Sequence, residues 1–365
     1  IKAYIELKRV ISQRKDKKVT DKENPMDNSN NSVNILNDSK STMTNTIDSH
    51  NTTYNGDVTI QMQNAEENSS SVSYNESIIL KERYTSLFAE NGSIHSEKII
   101  IKNLGNGRIE GSVYLDDHNT YILKGTYRNN ILTGEFISVG HYTDERGTIN
   151  LKLISEDVLS GFCSFSKIST FWEDQIRVSP YVWVAGDNAD LINGTYEFCT
   201  HCHNEGKKCC CESVDIDMPM ILYSEAQKYQ SINPKHQRMR DFSHVIGNTS
   251  IRQMNYANSN EMRCHFYNCA ENKCKIYDMR PTDCRLFPFD IKKNENTGEY
   301  WVGYYDEVCE RKLPDREIMK KYAHILRPQL FLLFPYADTI NRDEVCKHLK
   351  QTHFEELYKL HDLIF

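Results

Sequence analysis

The side chains best placed for chemistry are cysteines. Twelve occur in 365 residues, none before Cys163, and eleven lie between Cys199 and Cys346. Nine of these form two knots, Cys199-Thr-His-Cys202-His-Asn-Glu-Gly-Lys-Lys-Cys209-Cys210-Cys211 and Cys264-x4-Cys269-x4-Cys274-x9-Cys284. A C-x2-C pair brings two sulfurs within one turn, so one ion can be chelated locally, and thiolates hold zinc tetrahedrally or ligate iron–sulfur clusters. The remaining ligands must come from farther along the chain. Disulfides are the competing use of cysteine. Adjacent residues such as Cys209-Cys210-Cys211 pair poorly with one another, since a disulfide needs Cα atoms roughly 4.4–6.8 Å apart with matched side-chain vectors. Clustering therefore favours thiolates and a shared metal centre.

The second knot continues as Cys274-Lys-Ile276-Tyr277-Asp-Met-Arg280-Pro281-Thr-Asp-Cys284-Arg285-Leu-Phe287-Pro288-Phe289. Together with Cys199-x2-Cys202 and the adjacent cysteines that follow, this run resembles the YkgJ-type cysteine-cluster family, a zinc- or iron-chelating domain related in part to flagellin lysine N-methylase. The resemblance covers about Tyr196 to Lys312 and carries no information on the residues before it. It implies a metal set of Cys199, Cys202, Cys209, Cys210, Cys264, Cys274, Cys284 and Cys309, with zinc, iron or an iron–sulfur cluster as the bound group. Cys269 is then a bystander. Two departures stand out: six residues separate Cys202 from Cys209, and three cysteines are consecutive where the family has two. In an extended run Cys209 and Cys211 would share one face, whereas the family's adjacency points to Cys209 and Cys210.

Arg280 and Arg285 flank these thiols. A thiolate-rich site is net negative and gains from cationic neighbours and N–H donors; the competing use of these arginines is a surface ion pair with Asp278 or Asp283. Pro281 fixes its own φ and disfavours helix at Arg280, so a tight bend is expected between Tyr277 and Cys284. His201, His203 and His265 stand beside ligand cysteines, where imidazole could replace a thiolate or hydrogen-bond a sulfur. Cys346 has the spacing of a small core residue rather than a ligand.

The elements that must position this site divide the chain into four stretches. Residues 1–19 form a basic amphipathic segment with seven Lys/Arg (Lys2, Lys8, Arg9, Arg14, Lys15, Lys17, Lys18) against Glu6 and Asp16. Residues 20–77 are rich in Asn, Ser, Thr and Asp and cannot bury enough apolar surface to offset their ordering entropy, so a disordered linker is expected. Residues 78–185 show short β-branched and aromatic runs separated by turn signals: Lys98–Lys102, Arg108–Tyr114, Tyr121–Tyr127, Leu132–Val139, Thr148–Ile154 and Val158–Phe165. That spacing predicts an antiparallel sandwich or barrel. Gly125, Gly134, Gly147 and Gly161 fit bends in a curved sheet. Residues 186–365 hold the cysteines and, over Asp315–Phe334 and Arg342–Ile364, two helical patterns. The fold class expected is thus multi-domain α+β: a β domain followed by a metal-stapled, mainly helical cysteine domain.

Composition narrows the function. A net charge of -7 and a pI near 6.0 argue against broad nucleic-acid binding, which needs clustered cations facing phosphates. No run of about 18 apolar residues spans a membrane. The chain begins at Ile1, and membrane attachment is expected only through a segment upstream of it. Gly105-x-Gly107-x3-Gly111 lacks the spacing and the following helix of a dinucleotide site. A cytoplasmic metal-binding protein is the leading expectation. Beside it stand an iron–sulfur-dependent protein-modifying enzyme, as the lysine N-methylase relationship implies, and a zinc-stapled scaffold whose β domain binds a protein partner.

Overall fold

The computed structural model of the chain describes residues 47–48, 51–52 and 80–365, apart from 115–118, 141–144, 168–175, 188–216, 233–237, 259–260, 269, 272, 308–312, 344, 348 and 350–351. The basic segment 1–19 and nearly all of the linker 20–77 lie outside the described residues. Within the linker, Ile47–Asp48 pairs with Asn51–Thr52.

Eight strands follow: β1 (Arg83–Glu90), β2 (Ser93–Gly105), β3 (Arg108–Tyr114), β4 (Asn119–Arg128), β5 (Ile131–Gly140), β6 (Glu145–Ser155), β7 (Val158–Lys167) and β8 (Ile176–Ala185). Each pairs antiparallel with its sequence neighbours, and β8 returns to β1, closing an up-and-down barrel. The barrel form of the expected β domain is the one the chain adopts. Closure leaves no sheet edge with unpaired backbone groups. The register places Ile99 opposite Val113, Val113 opposite Tyr121, Leu123 opposite Phe136 and Leu151 opposite Gly161, so one continuous inner face is apolar. On β2 buried residues alternate with exposed ones, Lys98, Ile100 and Lys102 facing out between Ile99 and Ile101.

Two tight turns at one end use left-handed backbone. Asn106 and Gly107 (φ 52° and 72°) join β2 to β3, and Asn129 and Asn130 (φ 51° and 63°) join β4 to β5, a conformation asparagine and glycine tolerate best. Inside the wall, Gly147 faces the ring of Phe136; a Cβ there would meet that ring and the Ser164 carbonyl. The missing side chain is what admits the phenylalanine.

Beyond the barrel the chain forms α1 (Tyr223–Ile232), α2 (Thr282–Leu286), α3 (Arg316–Ile325) and α4 (Arg327–Leu333), and a three-stranded sheet of β9 (Phe289–Lys293), β10 (Tyr300–Tyr305) and β11 (Phe354–Lys359). Met319, Leu326, Leu330 and Leu333 pack with Ile291, Val302 and Leu357 into its core. The first expected helix, Asp315–Phe334, forms as α3 and α4, with Asp315 capping α3 by accepting from the Ile318 N–H at 3.0 Å. The second, Arg342–Ile364, does not form. Phe354–Lys359 is instead the edge strand β11, and a helix runs only over Leu360–Ile364. The described residues after the barrel are therefore a mixture of helices and small sheets rather than mainly helical.

The barrel and the remainder form one compact unit, Thr44–Phe365. Ile325 packs against Leu87, Val158, Val182 and Val184 on the outer wall. Arg327, only 6% exposed, crosses the joint: its guanidinium donates to the Gly161 carbonyl at 2.9 Å and the Ile364 carbonyl at 2.8 Å, and lies 4.2 Å from the centre of the Phe162 ring.

Candidate metal centre

The described cysteines of the second knot sit on short ladders and one helical turn. Cys264 ends the strand Glu261–Cys264 opposite Tyr256, and Cys274 lies opposite Tyr267. Cys284 is in α2. The chain between Cys274 and Cys284 bends as its residues dictate. Tyr277–Met279 makes one 3₁₀ turn, Arg280 leaves it in extended geometry (φ -48°, ψ 146°), and Pro281 precedes the first residue of α2. Arg280 folds back, its Nε donating to the Tyr277 carbonyl at 3.1 Å with the guanidinium 3.9 Å from the Tyr277 ring centre.

Helix α1 fixes this bend from three sides. The Glu225 carboxylate accepts the Thr282 N–H and the Thr282 hydroxyl, both at 2.7 Å, and the Leu222 N–H at 2.9 Å. Tyr229 Oη donates to the Met279 carbonyl at 2.6 Å, and the Met220 N–H just upstream donates to Asp283 at 2.7 Å. The Thr282 N–H would otherwise be an unpaired donor at the start of α2. Below lies a small core in which Cys264 packs with Tyr229, Phe242, Met254 and Phe266.

Electrostatics tie the three thiols together. Burial pushes the Cys284 thiol well up, the charges of Cys264, Asp283 and Cys274 push it further, and Arg280 pulls it back. Cys264 is 5% exposed. Burial thus favours the protonated Cys284 thiol, and a cation among the sulfurs reverses the balance by favouring the thiolate. The donor set fits a soft, thiophilic ion such as zinc or iron. Among the described residues, no three His, Cys, Asp or Glu side chains converge closely enough to hold an ion by themselves. Cys199, Cys202, Cys209, Cys210 and Cys309 lie outside the described residues, as do Cys211, Cys269, His201 and His203.

The flanking arginines divide their work. Arg280 acts on Cys284, while Arg285 acts on Glu225 and Tyr229. His265 packs edge-on to Phe266 with ring centres 5.1 Å apart, and burial, aided by Lys275, holds its pKa below the usual range. That keeps it neutral near pH 7. Cys346 lies in an irregular stretch rather than a helix. Burial pushes its thiol up to about 12, with Asp290 and Asp217 adding.

Two aspartates near this region, Asp283 and Asp290, form a pair that their sequence surroundings did not signal. Both are half-buried and act on one another, and each has its pKa raised, first by desolvation. Asp290 accepts from Tyr305 Oη at 3.0 Å and from the Ile291 N–H at 2.6 Å. Nothing in the linear pattern pairs two aspartates seven positions apart across a helix and a strand.

Comparison with known proteins bears on the same stretch. No curated protein and no solved structure matches the chain. A family model described as "putative zinc- or iron-chelating domain", CxxCxxCC, matches residues 198–310, which supports metal binding in general terms. The match leaves the barrel outside it, and the six residues between Cys202 and Cys209 depart from the two of the family's name. Residues 198–310, with their bend between Cys274 and Cys284, are accordingly similar to a family of "putative zinc- or iron-chelating" domains.

Proposed function

We propose that this protein is a metal-binding protein in which Cys264, Cys274 and Cys284 join Cys199, Cys202, Cys209, Cys210 and Cys309 in a thiolate centre for zinc or iron. The observation that carries this reading is that Cys264, Cys274 and the Arg280 guanidinium all lie close enough to act on the Cys284 thiol. Eight thiolates are enough for two tetrahedral sites or for one cluster with supporting ligands. Bound zinc would cross-link the loops, whereas an iron–sulfur cluster would add electron transfer. The chain's own part is to hold the bend between Cys274 and Cys284 through Glu225 and Tyr229, and to supply Arg280 as a counter-charge.

In this reading residues 78–185 form a β domain and residues 186–365 a metal-folded domain, working in a reducing compartment such as the cytoplasm. Cys264 at 5% exposure favours a closed, structural centre over an open catalytic one. Among the described residues no helix is long and apolar enough to cross a membrane. The experiment is elemental analysis with an absorption spectrum on anaerobically purified full-length protein and its Cys284→Ser variant. Metal in the wild type that is lost in the variant supports the centre. Equal metal in both removes Cys284 from it.

A further inference from the structure

The outer wall of the barrel has two apolar sides, and the chain itself covers one of them. On the β8–β1 seam, Leu87 and Val182, opposite one another, pack with Val184 against Ile325. In the closed order of eight strands the β4–β5 seam lies diametrically across from that one. There Ile122 and Ile137 stand directly opposite one another on the outer face and are 44% and 56% exposed. Val139, one outward step along β5, lies in line with Tyr114 through Thr120, and Ile100 lies in line with Ile122 through Ser112. These five large apolar side chains, all exposed, fill two adjacent rows of one face. A lone exposed apolar residue is ordinary, whereas a contiguous group marks a contact surface.

The polar residues of the same seam specify what fits against it. In the row next to Ile122 and Ile137, Lys124 stands directly opposite Glu135, both exposed, and in the row beyond, Thr126 stands opposite Thr133. Each row thus holds residues that suit one another across the seam, apolar with apolar, cation with anion, hydroxyl with hydroxyl. A two-fold axis in the contact plane and parallel to the strands exchanges β4 for β5. Ile122 of one copy then meets Ile137 of the other, Lys124 meets Glu135, and Thr126 meets Thr133, so the surface is complementary to itself, as a two-fold interface requires.

We infer that the β4–β5 seam is the contact surface of a two-fold homodimer in which two barrels pack wall to wall, with Ile122 and Ile137 at the centre and two reciprocal Lys124–Glu135 pairs beside them. The strands of the two walls run nearly aligned, as packed sheets do. Two convex walls touch along a ridge rather than over a broad plane, so the buried area lies at the small end for a specific interface and the dimer forms in a concentration-dependent way.

The inference does not rest on the thiolate centre. Sedimentation velocity of the full-length protein over a micromolar concentration series is the experiment, in reducing, anaerobic buffer so that no cysteine cross-link mimics the contact. A monomer–dimer equilibrium is expected for the wild type, and association weaker by roughly tenfold or more for Ile137→Glu. Lys124→Glu and Glu135→Lys each set like charges face to face in their own dimer, and each alone is expected to associate more weakly by a similar factor. Mixed in equal amounts, the two variants restore every opposite-sign contact, so a heterodimer of near wild-type affinity is expected. A wild type that stays monomeric at every concentration, undiminished association in folded Ile137→Glu protein, or failure of the two charge variants to pair on mixing would overturn the assignment.

Discussion

The Glu225 carboxylate takes both the backbone N–H and the hydroxyl of Thr282, each at 2.7 Å, across 57 positions of sequence. One helix thereby fixes the start of the turn that carries Cys284. The preceding residue, Ser224, donates to the Gly92 carbonyl in the β1–β2 turn at 3.1 Å. Neighbouring side chains on α1 thus hold the barrel on one side and the cysteine bend on the other.

Replacing Glu225 with Gln should therefore weaken a site it does not ligate. The amide retains one acceptor oxygen but turns an NH2 group toward donors that the carboxylate had satisfied, at a cost of about 1–3 kcal/mol. We expect lowered metal retention in a competition with a chelator, with secondary structure kept. Unchanged retention would show that the bend holds itself.

Cys274→Ser and Cys284→Ser should each lose metal and destabilise residues 198–310, because binding energy in such centres is folding energy. Cys346→Ala should leave metal content unchanged and cost about 1 kcal/mol or less, since the charges acting on this half-buried thiol belong to Asp290, Asp217, Lys292 and Asp283 and to no other cysteine. Elemental analysis and thermal melting of the three variants check both statements.

Arg327→Ala should cost about 3 kcal/mol or more by stranding the Gly161 and Ile364 carbonyls in the joint. Differential calorimetry would then resolve two transitions where the wild type shows one. A single transition with an unmoved midpoint would place the coupling elsewhere.

Glu97 also makes a prediction about stability and pH. Its folded-state pKa, raised from 4.5 to about 7 by burial, means that the native barrel binds this proton more tightly than the unfolded chain does. The stabilisation is fully present below about pH 4.5 and is lost as the pH rises to about 7. The stability difference between wild type and Glu97→Gln, followed by denaturant titration, should drift toward the variant over that window and flatten above it.

Most of the strands legible in the sequence have one wet face. In β2 and β6 buried and exposed residues alternate, which is the signal that period-2 reading detects. The two strands without that signal, β1 and β8, are covered on both faces. Residues 84–89 and 179–184 are buried throughout, because their outer side chains meet Ile325 and its surroundings. Tertiary packing erased the alternation. Over Phe354–Lys359, charges and apolar residues at mixed steps suit a helix as well as an edge strand, and pairing with β10 decided it. The cysteine knots and the Arg280-Pro281 bend were legible because their chemistry is local. Glu225 was not, since its partner is fixed only by the fold.

The most direct test of the thiolate centre is metal analysis of the intact, anaerobically purified chain before and after chelator treatment, with circular dichroism on the same samples. The account predicts bound zinc or iron, its removal by chelator, and loss of ordered structure in the cysteine domain as it leaves. A chain that purifies without either metal and keeps the same spectrum and melting curve in chelator would contradict it.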